Sequence, residues 1–419
     1  MYFRNWSYRS LLAAAALVAG LQLASCELWE PKTAVLWTDR PEFAAYAEHF
    51  NVSQTRYKLE VFYREAPAEA LSDAATVPDL VIGSWLKGAS TRMLFKPLDY
   101  FFDDLLLSSA AFYPALLSLG NIESRQYLLP VSFNIPALVF SKENAALVTT
   151  PFILTLEETQ RLGKAYNSAQ DGVYSRMGFS PRWSDDFLFI TTALFGAAYR
   201  EGSPLAWNPE ALEQALAYIR RWTTDANGSV QAEDDFAFKY LYEPSPLPAT
   251  SGRILFAYLN SADLFTVTEE RRGTLDFRWV AKETTIPVVE GAAYLGICKA
   301  GKAKNAADAF VQWFYKEENQ LKLLEMSKKY RLSETLFGIA NGFSALHGVN
   351  EQIYPRFYPS LLGHVPPRDY LAPPNILPTN WLTLKERVIL PYLHQRSQTG
   401  GGASLEARLE EWERLNSNS

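Results

Sequence analysis

The chain has 419 residues, a formal net charge of −6 and 14% aromatic residues, 11 of them Trp. That length suits two domains of ordinary size, and a mildly acidic balance argues against a nucleic-acid binder, which needs clustered Lys and Arg. The four histidines (His49, His347, His364, His394) show no ligand spacing, and no Gly-rich phosphate loop or G-x-S-x-G elbow is present, so neither metal nor cofactor is expected.

In chain order, Met1 to Ser10 carries Arg4 and Arg9 and no acid, Leu11 to Leu23 is almost wholly apolar, and Leu23-Ala24-Ser25-Cys26 follows. A basic head, a short apolar run and small residues describe a secretory signal peptide. The run falls short of the roughly 20 residues a membrane span needs, which sets the signal above an uncleaved anchor helix. A cut ending at Cys26 resembles the bacterial lipoprotein signal. That resemblance implies removal of residues 1–25, acylation of Cys26 (palmitate included) and attachment to a bilayer of the cell envelope. The exported chain then has a charge of about −8, the stated −6 less Arg4 and Arg9. Only Cys298 remains, so no intramolecular disulfide is available, and its apolar run suits a small buried hydrophobe.

Ala34-Val35-Leu36-Trp37 reads as a strand, and Thr38-Asp39-Arg40-Pro41 punctuates it. Phe43, Tyr46, Ala47 and Phe50 then recur at helical spacing. Tyr57 to Tyr63 is a second strand, and Pro78 to Gly83 a third with an all-apolar middle. Apolar strands alternating with helices predict a parallel sheet covered on both faces. Strands are also expected at Tyr127 to Ser132, Ala137 to Phe140, Gly252 to Leu259 and Ala292 to Cys298. Thr155-Leu156-Glu157-Glu158 is a capping box, and Asn208-Pro209 a capped helix start. Tyr354 to Pro378 is rich in Pro and aromatic residues, and Thr399 to Gly402 is a flexible joint. A final helix carries Leu405, Leu409, Trp412 and Leu415 as one stripe.

Five stretches in this order resemble the extracellular solute-binding proteins of bacterial ABC importers, the family that includes maltose-binding protein. They are Ala34–Asp39 with its helix, Pro78–Trp85 leading to Phe95-Lys96-Pro97-Leu98-Asp99, Tyr127-Leu128-Leu129-Pro130 through Phe140-Ser141-Lys142, Gly252–Phe256, and Ile286–Gly291 followed by Lys304–Val311. Two departures stand out, Phe140-Ser141-Lys142 for the usual Y-N-K and Gly291-Ala292 for the usual Gly pair. The resemblance implies an α/β fold of two lobes, periplasmic-binding-protein-like, with an interlobe cleft and crossing hinge strands. The expected division is 26–140 and 288–327 for the first lobe, 141–287 and 328–398 for the second, with 399–419 as joint and terminal helix. It implies capture of a mono- or oligosaccharide, delivery to ABC permease subunits and no catalysis.

A sugar offers apolar CH faces and a rim of hydroxyls, so its site wants aromatic rings and side chains for paired hydrogen bonds. The loop after the first strand supplies Trp37 and Asp39, although Asp39 equally suits a helix cap. Ser84 and Trp85 follow the third strand, where the family often places a stacking platform. Asn134 precedes the first crossing, as a polar contact or a turn residue. Trp183 and Asp185 precede an apolar helix, Asp185 with a capping alternative. Asn260 ends the Gly252 strand and is preferred to Tyr258, which alternation could turn into the core. Tyr294 follows a small-residue turn; Arg356 and Trp381 are weaker candidates. Two other readings stay open. One is a surface lipoprotein that kept the fold without transport. The other is an exported glycoside hydrolase built on an acidic doublet such as Asp185-Asp186, although adjacent carboxylates rarely flank one bond.

Overall fold

The computed structural model describes residues 32–243 and 245–416. Cys26 and the signal segment therefore lie outside the described residues. No described helix is long and apolar enough to cross a membrane.

The first strand, Thr33–Thr38, pairs in parallel with Lys58–Tyr63 on one side and Leu80–Gly83 on the other. Between the first two runs the helix Phe43–Ser53, with Phe43, Tyr46, Ala47 and Phe50 buried as the spacing predicts. Each such large apolar side chain contributes roughly 1.5–3 kcal/mol on burial. The sheet does not stay parallel, because Ala293–Ile297 enters it antiparallel to both Leu80–Gly83 and Leu128–Phe133. Phe343–Ser344 closes the far edge, giving six strands in all. Apolarity on both faces thus marked burial correctly, but strand direction depends on later crossings that local pattern does not encode.

A second, four-stranded sheet is built on Pro136–Ser141, flanked by Ala257–Asn260 and Leu275–Val280, with Ile153–Leu154 at the edge. Leu128–Phe133 and Pro136–Ser141 are consecutive strands in different sheets, so the chain crosses between lobes at Asn134-Ile135. It returns through Ile286–Gly291 into Ala293–Ile297. The chain is still on the larger sheet at Phe343–Ser344, past residue 327 where the sequence suggested a change of lobe. It then recrosses as a proline-rich strap, in which Leu371-Ala372 pairs with Ile286-Pro287.

Helix signals held closely. Thr155 and Glu158 form both halves of the capping box, and Asn208 caps the helix Pro209–Ala226. The terminal stripe is shorter than expected: Leu405 and Leu409 are buried and Trp412 is half-buried, but Leu415 is exposed. The helix ends just beyond it, at Asn416. Cys298 is buried, with its thiol pushed up to about 12 by burial, which keeps it protonated.

The lobes do not have fully separate cores. Phe343 of the larger sheet packs edge-to-face on Trp279 of the smaller one at 5.9 Å, and Phe265 stacks on Phe337 at 4.6 Å. One apolar cluster therefore runs through the junction beneath the hinge.

Candidate ligand-binding cleft

Above that junction a cleft of about 590 Å³ opens between the sheets. Its first wall comes from loops at the C-terminal ends of the parallel strands, where open α/β sheets bind ligands. Asp39 and Arg40 follow the first strand, Glu65 to Glu69 the second, and Ser84 and Trp85 the third. Asn260 and Asp263 face them from the smaller sheet, joined by Thr379, Leu382 and Thr383 beyond the strap. Val289 to Ala292 forms the floor.

Several backbone devices bring the first wall together. Gly83 has no room for a side chain, since a Cβ there would meet Pro67 Cγ at 2.4 Å. Gly291 sits at φ +90°, a conformation costly to any other residue. Its carbonyl accepts from Ser84 Oγ at 2.7 Å and Arg40 Nη2 at 3.3 Å. Trp85 itself sits at φ +63°, of order 1 kcal/mol of strain for a bulky residue, and its ring lies against Gly291. Strain held at a cleft-lining aromatic is the kind of feature that marks a binding platform.

Asn134 ties three segments at the crossing. Its Oδ1 accepts from Ser261 Oγ at 2.6 Å, its Nδ2 donates to the Asn341 carbonyl at 2.9 Å, and its own carbonyl accepts from Val289 N. Asn341 is delivered by the tight Gly338–Gly342 turn, whose backbone amides at Gly338, Ile339 and Ala340 donate to the hydroxyls of Tyr358, Tyr354 and Tyr46. Asn260 caps the helix Ser261–Thr266, accepting from Asp263 N at 3.0 Å and donating to Asp263 Oδ2 at 2.8 Å.

The electrostatics are strongly carboxylate-weighted. Asp39 pairs with Arg40 at 3.3 Å, yet burial outweighs that cation and raises its pKa. Glu42, 5% exposed, has neither carboxylate oxygen hydrogen-bonded, and burial raises its pKa too. Glu290, on the floor, is bonded by Lys385, which Asp186 holds from its other side. Behind Trp85, Arg92 pairs with Glu201 at 3.0 Å and Ser90 Oγ meets Thr379 Oγ1 at 3.3 Å, so side chains of both lobes already touch across the back of the cleft. Among the described residues no group of three or more His, Cys, Asp or Glu could hold a metal.

Of the nine sequence candidates, Asp39, Ser84, Trp85, Asn134 and Asn260 line this cleft. The other four do not. Trp37 points from the sheet beneath Arg64, whose guanidinium covers its ring at 4.8 Å. Trp183 stacks on Phe236 at 5.6 Å within the smaller lobe. Asp185 bonds His394 Nε2 at 2.6 Å, and it is Ser184 that caps the helix. Tyr294 is 7% exposed and spends its hydroxyl on the Leu116 carbonyl at 2.9 Å. Arg40, Asp263, Asn341 and Leu382 were missed; only the Asn341-Gly342 turn dipeptide announced itself in sequence. A second cavity of about 450 Å³ takes its walls from the smaller lobe and the hinge alone, including Phe189, Tyr199, Val288 and Pro374.

This arrangement has counterparts among known proteins. The sugar-binding protein MalE of Xanthomonas citri superposes with a TM-score of 0.63 at 12% identity, over 91% of this chain and 96% of that one. The cyclic alpha-maltosyl-1,6-maltose binding protein of Arthrobacter globiformis gives 0.60 at 18% identity, over 91% and 96%. An ABC substrate-binding protein of Listeria monocytogenes in complex with cycloalternan gives 0.59 at 12% identity, over 93% and 100%. At such identities the likeness shows the fold, two-lobed α/β as expected. No curated protein sequence matches the chain. The family model described as bacterial extracellular solute-binding protein matches residues 45–331. With a cleft built for holding a ligand and a family model matching most of its length, the chain belongs to the bacterial extracellular solute-binding proteins, which bind their solute and are not enzymes.

Proposed function

We propose that this protein captures a sugar between its lobes and hands it to the permease of an ABC importer. The observation that carries this reading is the cleft itself: Trp85 offers a ring face on one wall, and Asp39, Asn260 and Asp263 supply hydrogen-bonding groups from both. Structural relatives include proteins with maltotriose, mannotriose and cycloalternan bound. A ligand bridging both walls favours the closed arrangement by its differential affinity for it, which is the whole of the mechanism. We assign contact with the ligand to Asp39, Ser84, Trp85, Asn134 and Asn260, and keep the lobe division of the sequence reading except that the first lobe extends through Ser344.

Thermal-shift titration with mono- and oligosaccharides tests the reading. A saturable rise in melting temperature is expected with at least one sugar, and no response to any sugar would favour a surface protein that kept the fold without transport. For that sugar Trp85→Ala is expected to weaken binding at least tenfold, about 1.4 kcal/mol. Unchanged affinity would remove Trp85 from the site.

Acyl chains on Cys26 would hold the receptor at the membrane. One chain adds only about 0.8 kcal/mol per buried CH₂ and binds marginally, so several are needed for lasting attachment. Tethering raises the effective concentration at the importer. Cells fed labelled palmitate should label the wild-type chain and not Cys26→Ser; equal labelling would refute acylation at this residue.

A further inference from the structure

The larger sheet is acidic at its cleft end, where Asp39, Glu65 and Glu69 line the wall, and basic at the other. Lys32 leads into the first strand there, and Lys58, opening the neighbouring strand, donates its N–H to the Lys32 carbonyl at 2.8 Å. Arg56 lies just before it. On the other side Ile297 pairs with Leu80, and Cys298 N donates to the Asp79 carbonyl at 2.9 Å. The turn carrying Lys299, Lys302 and Lys304 therefore leaves the sheet at this same end. All these cations are exposed, and among the described residues none of them makes an ion pair. No acid interrupts residues 54–58 or 299–304. Asp79, between them, is buried, its carboxylate taken by Val35 N and Ala303 N.

Local folding does not account for this charge. Lys302 and Lys304 stand at the N-terminus of the helix Lys304–Phe314, where the helix dipole disfavours cations, and the first turn holds no acid. Beside them Met93, whose carbonyl accepts from Lys299 Nζ at 2.8 Å, leaves an apolar side chain 59% exposed. We propose that this end of the larger lobe is a membrane-facing surface, held against anionic phospholipid with the cleft turned away from the bilayer. Lys and Arg gain from the negative potential of such a surface when they lie within a Debye length of it, about 8–10 Å. On a chain of net charge −6 the acidic remainder is repelled, so the same field orients the molecule as well as attracting it. The place where the chain leaves the sheet names the occupant. Residues 27–32 reach at most about 20 Å even fully extended, so a bilayer holding Cys26 lies close to this end. A single acyl chain binds marginally, and a basic patch is the kind of second signal that makes attachment last. The orientation rests on acylation at Cys26; the basic surface does not, and it is tested without the acyl chain.

The exported chain from Glu27 onward, which keeps every described residue, is titrated with vesicles of about 30% phosphatidylglycerol in phosphatidylcholine and with phosphatidylcholine alone. Sedimentation should show about tenfold or stronger partition onto the anionic vesicles at low salt, lost near 0.5 M salt. On those vesicles amine-reactive labelling of Lys299, Lys302 and Lys304 should slow, while exposed Lys164 and Lys239 of the smaller lobe keep their rates. The double variant Lys302→Glu, Lys304→Glu should lose the preference and melt no lower than wild type, because acids suit that helix end. Lys58→Glu, on the other side of the patch, should weaken it independently. Equal partition onto both vesicles, or undiminished binding by the variants, overturns the proposal. So does capture by soluble heparin with no vesicle binding, which would assign the patch to a free polyanion. Sugar-induced thermal stabilisation should be the same in the variants as in wild type, so either reading can fail without the other.

Discussion

Replacing Trp279 by alanine is expected to cost about 3–5 kcal/mol of stability, the range for emptying a large aromatic from a packed core. The side chain is fully buried near the end of Leu275–Val280, edge-to-face with Phe277 at 4.9 Å and with Phe343 at 5.9 Å. Its indole N–H donates to the half-buried His364 carbonyl at 2.8 Å, so truncation also removes that acceptor's partner. Because Phe343 belongs to the other sheet, the damage falls on the contact that unites the lobes. Urea unfolding followed by circular dichroism should show the midpoint falling for both sheets together. A loss below about 1 kcal/mol would mean that the lobes are cored independently.

Lys385→Met is expected to be comparably costly. The ammonium is nearly buried, lies 3.0 Å from Asp186 Oδ1, bonds Glu290 and sits over the Phe189 ring at 4.6 Å. Burial alone would lower its pKa, but Glu290 and Asp186 outweigh burial and raise it. Methionine keeps the stem's packing and leaves Glu290, itself 9% exposed, without a cation. Breaking one side of a buried pair in this way costs about 3–5 kcal/mol. The sign of the pH dependence follows from the raised value. The stabilisation is fully present below the unfolded lysine pKa of about 10.4 and is lost as pH rises through the higher folded one. The gap in melting temperature between wild type and variant should therefore be flat from pH 6 to 9 and shrink only in strong alkali. Equal stability at neutral pH would refute the pairing. Glu290 also lines the cleft floor, so the same variant should loosen ligand binding.

Much of this was legible in the sequence where the signal is local. The capping box at Thr155, the Asn208 cap and the buried face of Phe43–Ser53 each depend on residues within one or two turns. The place of Ser84 and Trp85 in the cleft lining was legible because they follow a strand whose C-terminal end must open onto the cleft. Trp37 follows the same logic but does not line the cleft, since Arg64, just past the end of the adjacent strand, covers it, a contact between chain positions 27 residues apart. Asp185 lies outside the cleft lining for a longer-range reason: His394 arrives from a helix more than 200 residues later and bonds it. Asp263 was hidden because in sequence it looks like any helix first-turn acid, and only the turn of that helix toward the opposite lobe makes it part of the wall.

In the proposed function a sugar is held between Trp85 on one lobe and Asn260 and Asp263 on the other. A crystal structure with the sugar giving the largest thermal stabilisation tests it most directly. Density for that sugar is expected in the interlobe cleft, within hydrogen-bonding distance of side chains from both walls and with a ring face against Trp85. A sugar seated instead in the cavity beside Phe189 and Val288, or touching one lobe only, would contradict it.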